Sequence, residues 1–500
     1  MVRSIRGVSQ AAAAVVLGAA GLAQGLTTEE WQAQSIYQVL TDRFALPDGD
    51  SNAACNDLGT FCGGTWTGIK NQLDYIQNMG FTAVWISPIV KNIQGGTSLG
   101  DAYHGFWAQD IYSLNEHFGT EDDLLALSEE IHKRGMYLMI DVVTNHMAFP
   151  ADMSSCDYTQ ATPFNAASYY HDPCVINDDD PETVIKCWEG TSGVSLADLR
   201  TEDANVRDIW KSWIADIVTK YKIDGLRLDT TKHVEKDFWE EFLASAGVFG
   251  TGEILNGDPK TFPGWISDVP GFVNYPAYFW LTRAFASSSA TLSELVTGIN
   301  EMKSLMKTST FSSFLENHDN PRFSSLTQDI TLAKNALAFS MLMDGIPIIY
   351  QGQEQWQEFT GTEAPYNREP MWTSSYNTTS ELYSWVSTLN SARSLAISQD
   401  PTAYIAYQAN PIWSDDHTVA MKKADVVTIA TNVGEAGNVG AISLPASSTG
   451  YIAGQVYVDL VSCARYTAGT DGGISVTMKA DPIVLYPQSR LSGSNSTLCA

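Results

Sequence analysis

Gly225-Leu226-Arg227-Leu228-Asp229, then Asp237-Phe238-Trp239-Glu240-Glu241-Phe242-Leu243-Ala244, then Gly252-Glu253-Ile254 is the stretch whose reading decides the fold. The outer segments read as strands and the middle one as a helix, a pattern that joins consecutive parallel strands by a crossover. Side chains two apart on a strand share a face, so Arg227 and Asp229 point the same way. A cation at that distance is expected to depress the Asp229 pKa and keep the carboxyl ionised. Asp229 and Glu253 fall at the ends of neighbouring strands, which run roughly 4.8 Å apart. That spacing approaches the roughly 5–5.5 Å between two carboxyls that cleave a glycosidic bond with retention. Retaining glycosidic cleavage is therefore the chemistry the pair implies.

A third acid, Asp319, closes Phe314-Leu315-Glu316-Asn317-His318-Asp319, which also follows a strand-like run. Working outward, strand patterns fall at 36–44, 83–87, 137–143, 225–229, 252–255, 271–274, 313–316 and 346–350. Helical patterns lie between most of them, for example at 120–134, 206–221 and 330–342. Eight such units predict a closed (β/α)8 TIM barrel, whose chemistry sits at the C-terminal ends of its strands. A doubly wound sheet is the alternative. Residues 144–200 interrupt the rhythm with little periodicity and three of the seven cysteines, so they are read as a small inserted domain. Asn177-Asp178-Asp179-Asp180-Pro181 within it lacks the Gly and closing Glu of an EF-hand and reads as a solvated turn. After residue 400 the helical patterns stop, and short β-rich runs separated by Gly, Ser and Asp predict a C-terminal antiparallel sandwich over 400–500. The barrel is thus assigned to 26–143 and 201–399.

The 500 residues carry a net charge of −28, which argues against nucleic acid as a partner and is compatible with a neutral polysaccharide. Residues 1–25, with Arg3 and Arg6 before an apolar stretch and small residues near Ala23-Gln24-Gly25, read as a secretory signal. No later segment has the apolar length of a membrane span, so a freely secreted chain is expected. The cysteines suit that compartment. Cys55 and Cys62 are close enough to pair, Cys174 and Cys187 close a second loop, and Cys463 and Cys499 a third, leaving Cys156 unpaired or competing for Cys174 or Cys187. Asn377 and Asn495 begin N-glycan acceptor sequons.

Four blocks together resemble the α-amylase family, of the secreted fungal type: Asp141-Val142-Val143-Thr144-Asn145-His146, Gly225 through His233, Gly252-Glu253-Ile254, and Phe314 through Asp319. The resemblance runs from about Trp31 to the C-terminus. It implies an endo-acting enzyme that hydrolyses internal α-1,4-glucosidic bonds of starch, glycogen and related α-glucans, and a monomer. It implies that Asp229 is the nucleophile, Glu253 the acid and then the base, and Asp319 the stabiliser of the oxocarbenium-like transition state. Glu253, near two other carboxylates, is expected to have a raised pKa.

The resemblance further implies that His104, His146 and His318 hydrogen-bond the sugar at the cleavage point. Arg227 holds Asp229, Lys232 contacts the leaving-group side, and Arg368 makes a distal contact. In Tyr103-His104-Gly105-Phe106-Trp107 the aromatic faces of Phe106 and Trp107 suit sugar stacking. Many family members carry Tyr where Phe106 stands, and related fungal enzymes carry Asp where Ala364 stands. Calcium is the implied cofactor. Asn145 and Asp198 supply side-chain oxygens and the resemblance adds the carbonyls of Ile185 and His233, an all-oxygen set that suits Ca²⁺ better than zinc. Cys174 and Cys187 match a family disulfide, and Gly250 stands where a partner in a further bridge would be.

Other readings make different demands. Gly96-Thr97-Ser98-Leu99-Gly100 matches the G-x-S-x-G of serine hydrolases, but that motif needs a strand before it and a helix after it. A non-catalytic relative on the same fold typically lacks one of the acids, and all three are present. A transglycosylase, with sugar rather than water attacking the intermediate, is the nearest alternative.

Overall fold

The structure is a computed structural model that describes residues 25–50, 53–491 and 498–499. The predicted leader, apart from Gly25, and the Asn495 sequon lie outside the described residues.

Eight strands form one parallel sheet: β1 (Ile36–Val39), β2 (Ala83–Ile86), β3 (Tyr137–Val142), β4 (Gly225–Leu228), β5 (Phe249–Gly252), β6 (Gly271–Phe272), β7 (Ser312–Ser313) and β8 (Ile346–Tyr350). Their order is β6-β5-β4-β3-β2-β1-β8-β7, and a parallel bridge between Val273 and Ser312 joins the two ends into a barrel. Alternation assigns the two faces. Tyr37, Val84, Ile86, Leu138, Ile140, Leu226 and Leu228 turn outward into the apolar layer under the helices. Ile36, Ala83, Trp85, Met139 and Phe249 fill the interior, together with Trp31 and Tyr275. Two residues further along the same inward rows stand Asp141 and Arg227, so the apolar interior is capped by buried charge at the C-terminal ends.

The crossover helices form where their patterns predict. Glu121–Lys133 starts at a capping box made by Thr120 and Asp123, which satisfies two of the amides a helix start leaves open. Ala204–Tyr221 ends with Lys222 in the left-handed region, and Ile330–Leu342 is buried along most of its length because the sandwich packs on it.

Three strands depart furthest from their predicted bounds. The first stops at Val39, and Thr41–Phe44 turns helical instead. The fifth is Phe249–Gly252, upstream of the predicted 252–255, so Glu253 follows the strand rather than lying in it. Two glycines in that strand mask its β character. Gly250 has a packing reason: a Cβ there would lie 2.6 Å from Leu243 Cδ2 on the covering helix. The seventh is only Ser312–Ser313, and Asp319 sits on the loop beyond it.

Within 144–200, Val194–Asp198 pairs antiparallel with both His146–Phe149 and Glu189–Thr191, and helix Pro181–Lys186 lies beside them. After 400, a short helix at Pro401–Ala406 departs from the predicted end of helical structure, and the first strand begins at Asn410. A six-stranded antiparallel sheet and the antiparallel pair Gly440–Leu444 and Ile474–Met478 enclose an apolar core. The disulfides are Cys55–Cys62, Cys174–Cys187 and Cys463–Cys499, and Cys156 is a free, half-buried thiol. No helix among the described residues is long and apolar enough to cross a membrane.

Candidate active site

The β4–β5 register pairs Leu228 with Gly252, and the Glu253 amide donates to the Leu228 carbonyl at 2.9 Å. Asp229 and Glu253, one residue beyond, are therefore neighbours at the mouth of the barrel. Arg227 lies between them: Nη1 is 2.6 Å from Asp229 Oδ1 and Nη2 is 2.8 Å from Glu253 Oε1. The same Nη1 is 2.9 Å from Asp141 Oδ1, so one buried guanidinium serves three carboxylates. The Tyr275 hydroxyl also donates to Glu253 Oε1, at 3.2 Å.

This arrangement corrects one expectation. Burial pushes the Asp229 carboxyl up to about 7, against the pull of Arg227, and the charges of Glu253 and Asp319 act in the same direction as burial. Arg227 thus offsets a desolvation cost rather than holding Asp229 in the low carboxylate range.

Asp319 is more exposed than the other two acids and is held from both sides. His318 Nε2 lies 3.0 Å from Asp319 Oδ2 and Arg368 Nη2 lies 3.1 Å from Oδ1. Arg368, expected at a distal position, lines the same cleft as the acids and also donates from Nε to the His318 carbonyl. Nδ1 of His318 accepts from Gln38 Nε2 at 2.8 Å, which leaves the ring's proton on Nε2, facing Asp319.

His104 Nδ1 accepts from the Phe106 amide, so its Nε2–H is the free donor. His146 Nε2 donates to the Phe106 carbonyl at 3.2 Å. Burial lowers the pKa of all three histidines, His146 to about 4, so they present neutral rings. Phe106 stacks on His318 with ring centroids 5.2 Å apart, and Trp107 meets His104 edge-on at 4.7 Å. Together these groups line a cleft of about 410 Å³.

Lys232 opens into an adjoining cavity of about 520 Å³ bounded by the 144–200 region, and its Nζ is paired with Asp178 at 3.1 Å. Glu189, which the sequence reading did not single out, lines both cavities. Burial pushes its carboxyl up to about 8, with Asp229 and Glu253 adding to the shift. Its three-residue strand lies in an aperiodic insertion and carries no sequence signal. Tyr275 and Asp141 were more findable, because Tyr275 opens the helix that follows the sixth strand and Asp141 lies near the end of the third.

Behind His146, three acceptor oxygens converge. The side-chain oxygen of Asn145 faces the His233 carbonyl at 3.1 Å and Asp198 Oδ2 at 3.0 Å with no proton between them. Reversing the amide would supply two N–H donors, and an oxygen-seeking cation would satisfy all three groups as they stand. Asp198 Oδ1 is held by His171 Nδ1 at 2.6 Å. His233 Nδ1 donates to the carbonyl of Val184, the residue before Ile185. Hard oxygen donors of this kind suit Ca²⁺ or Mg²⁺, and backbone carbonyls favour the larger ion. Ser98 of the G-x-S-x-G match sits in an exposed turn between Thr97 and Gly100, without the strand and helix that motif needs.

Comparison with known proteins gives a consistent answer. A family model described as the α-amylase catalytic domain matches residues 38–420, and one for α-amylase domain C matches residues 411–500. An α-amylase of Saccharomycopsis fibuligera is 43% identical over 94% of this chain and 96% of its own length. α-Amylase 1 of Schwanniomyces occidentalis is 45% identical over 94% of this chain and 92% of its own. Among solved structures, an α-amylase from Malbranchea cinnamomea superposes with a TM-score of 0.91 at 48% identity, covering 95% of this chain and all of that one.

Proposed function

Because the chain belongs to the α-amylase family, we propose that it is an endo-acting α-amylase that hydrolyses internal α-1,4-glucosidic bonds of starch, glycogen and related α-glucans with retention. The observation that carries the reading is the guanidinium of Arg227 set between Asp229 and Glu253 at the floor of an open cleft. One small cation touching both carboxyls keeps them close, as a double displacement requires.

In the first step an Asp229 oxygen attacks the anomeric carbon while the bond to the leaving oxygen breaks, and that oxygen takes the proton of Glu253. In the second, water attacks the same carbon, its proton passes to Glu253, and Asp229 leaves as a carboxylate. Asp319, held by His318 and Arg368, lies where positive charge develops on the sugar. The free Nε2–H of His104 suits a sugar hydroxyl, His146 borders the same sugar, and the faces of Phe106 and Trp107 suit the ring. Lys232 serves the leaving-group side.

Calcium fits the oxygens of Asn145, Asp198 and His233, and the Ile185 carbonyl is proposed as a further ligand. When bound it supplies charge neutralisation and ties the insertion to the barrel. The chain's own residues carry every chemical step. We divide it into a leader at 1–25, the barrel at 26–143 and 201–399, the calcium-associated insertion at 144–200 and the sandwich at 400–500. A secreted monomer is proposed, and its three disulfides suit an oxidising compartment.

The experiment is the product distribution from soluble starch with wild type and Glu253→Gln side by side. Early release of short oligosaccharides by wild type alone is expected. Longer or branched products with little new reducing end would make the enzyme a transglycosylase. Silence from both proteins would overturn the reading.

A further inference from the structure

Four carboxyls, not three, line the catalytic cleft, and two of them, Glu189 and Glu253, also line the adjoining cavity. Glu189 stands on the edge strand of the insertion, paired in register with Leu196, whose other neighbour Ala148 follows His146 by two. That register brings Glu189 across the cleft from the barrel acids. Its side chain keeps 23% of its surface open. The nearest basic groups are two neutral imidazoles, His146 Nδ1 at 3.7 Å and His233 Nε2 at 3.4 Å. Neither contact is a hydrogen bond, and no described residue donates one to this carboxyl.

Most other polar side chains of the leaving-group cavity are already engaged, and the buried Thr230 hydroxyl is the exception. Lys232 is tied to Asp178, His233 Nδ1 to the Val184 carbonyl, and Glu253 to Arg227 and Tyr275. The rim is apolar, with Val175 at 80% exposure and Leu255 at 53%. Sites of this kind orient a ligand through a few placed polar groups on an otherwise apolar wall. Of the two carboxyls that line both cavities, Glu189 is the one that accepts no hydrogen bond, and a sugar hydroxyl is a partner that would supply one.

We propose that Glu189 is a specificity-determining residue that hydrogen-bonds the sugar on the leaving-group side and so sets the division between hydrolysis and transfer. The inference rests on the retaining reading above. Once the glycosyl–Asp229 ester has formed, either water or a sugar hydroxyl attacks the anomeric carbon as the bond to Asp229 breaks. In both cases the attacker's proton goes to Glu253. A sugar held by Glu189 competes with water for that position, so removing the carboxyl favours hydrolysis.

The test compares wild type, Glu189→Leu and Glu189→Gln on two substrates. One is maltoheptaose, whose sugars occupy both sides of the cleavage point, with and without added maltose as acceptor. The other is a nitrophenyl α-maltotrioside, which places an aryl group rather than a sugar beside Glu189. For Glu189→Leu, the transfer-to-hydrolysis ratio and kcat/KM on maltoheptaose are each expected to fall about tenfold, as for one lost hydrogen bond. Activity on the aryl substrate should fall by much less than activity on maltoheptaose, and Glu189→Gln, which keeps an acceptor, should lie between wild type and Glu189→Leu. An unchanged ratio in both variants would overturn the inference. So would an equal loss on both substrates in both variants, which would make Glu189 a structural support. Inactive wild type would instead overturn the amylase reading itself.

Discussion

Arg227 Nη1 lies 2.6 Å from Asp229 Oδ1, and both side chains are buried. Burial raises the Asp229 carboxyl while this contact lowers it, and burial is the larger of the two. The ionised form that the proposed attack on the sugar requires therefore depends on Arg227. Removing the guanidinium leaves desolvation and the charges of Glu253 and Asp319 unopposed, so the Asp229 pKa moves further up. A base with a higher pKa loses its active form at a higher pH as acid is added. Arg227→Met is expected to move the acidic limb of the kcat/KM profile to higher pH and to lower kcat by at least about a hundredfold. A pH–rate profile of both proteins checks this. An unmoved acidic limb would show that Arg227 does not set the charge of Asp229.

The oxygen cluster of Asn145, Asp198 and His233 predicts cation-dependent stability. A ligand at a hundred times its Kd adds about 2.7 kcal/mol to the folded state. Chelation is expected to lower the thermal midpoint of wild type, and added Ca²⁺ to restore it. Asp198→Ala, lacking the side-chain ligand, should show neither change. Differential scanning calorimetry in both conditions checks this, and a wild-type midpoint indifferent to chelator would contradict it.

The barrel and the sandwich share a buried ion pair. Lys423 Nζ is 2.9 Å from Asp344 Oδ1, and the same carboxyl accepts from the Ala409 amide and the Thr308 hydroxyl. Truncating one partner strands a buried charge, a cost of about 3–5 kcal/mol. Asp344→Ala is expected to lower the denaturation midpoint by several degrees. Asp344→Ala with Lys423→Met should recover most of that loss, because no unpaired ammonium is left. Thermal unfolding of the three proteins checks this, and a double variant no better than the single one would contradict it.

Much of this was legible in the sequence where a local rule applied. Arg227 and Asp229 share a strand face by period, and the helix between Asp229 and Glu253 forces a parallel crossover, so their adjacency followed from a short stretch. Long-range geometry was not legible. Arg368 reaches Asp319 across 49 positions, and no local pattern announces that contact. Phe249-Gly250-Thr251-Gly252 hides a strand because close packing on Leu243 excludes a side chain at Gly250. Glu189 was invisible for a related reason: its strand is three residues long and has no periodicity to read. The direction of the Asp229 shift was misjudged because a sequence shows which charges are near in the chain but not how much water they lose.

The central claim, double displacement through Asp229 and Glu253, is tested most directly by the configuration of the newly released sugar. Proton NMR of the anomeric region during the first moments of maltoheptaose cleavage resolves the α- and β-anomers before mutarotation mixes them. The new reducing ends are expected to appear first as the α-anomer, with the β-anomer growing in later. First appearance of the β-anomer would mean a single displacement by water, and would contradict a covalent intermediate on Asp229.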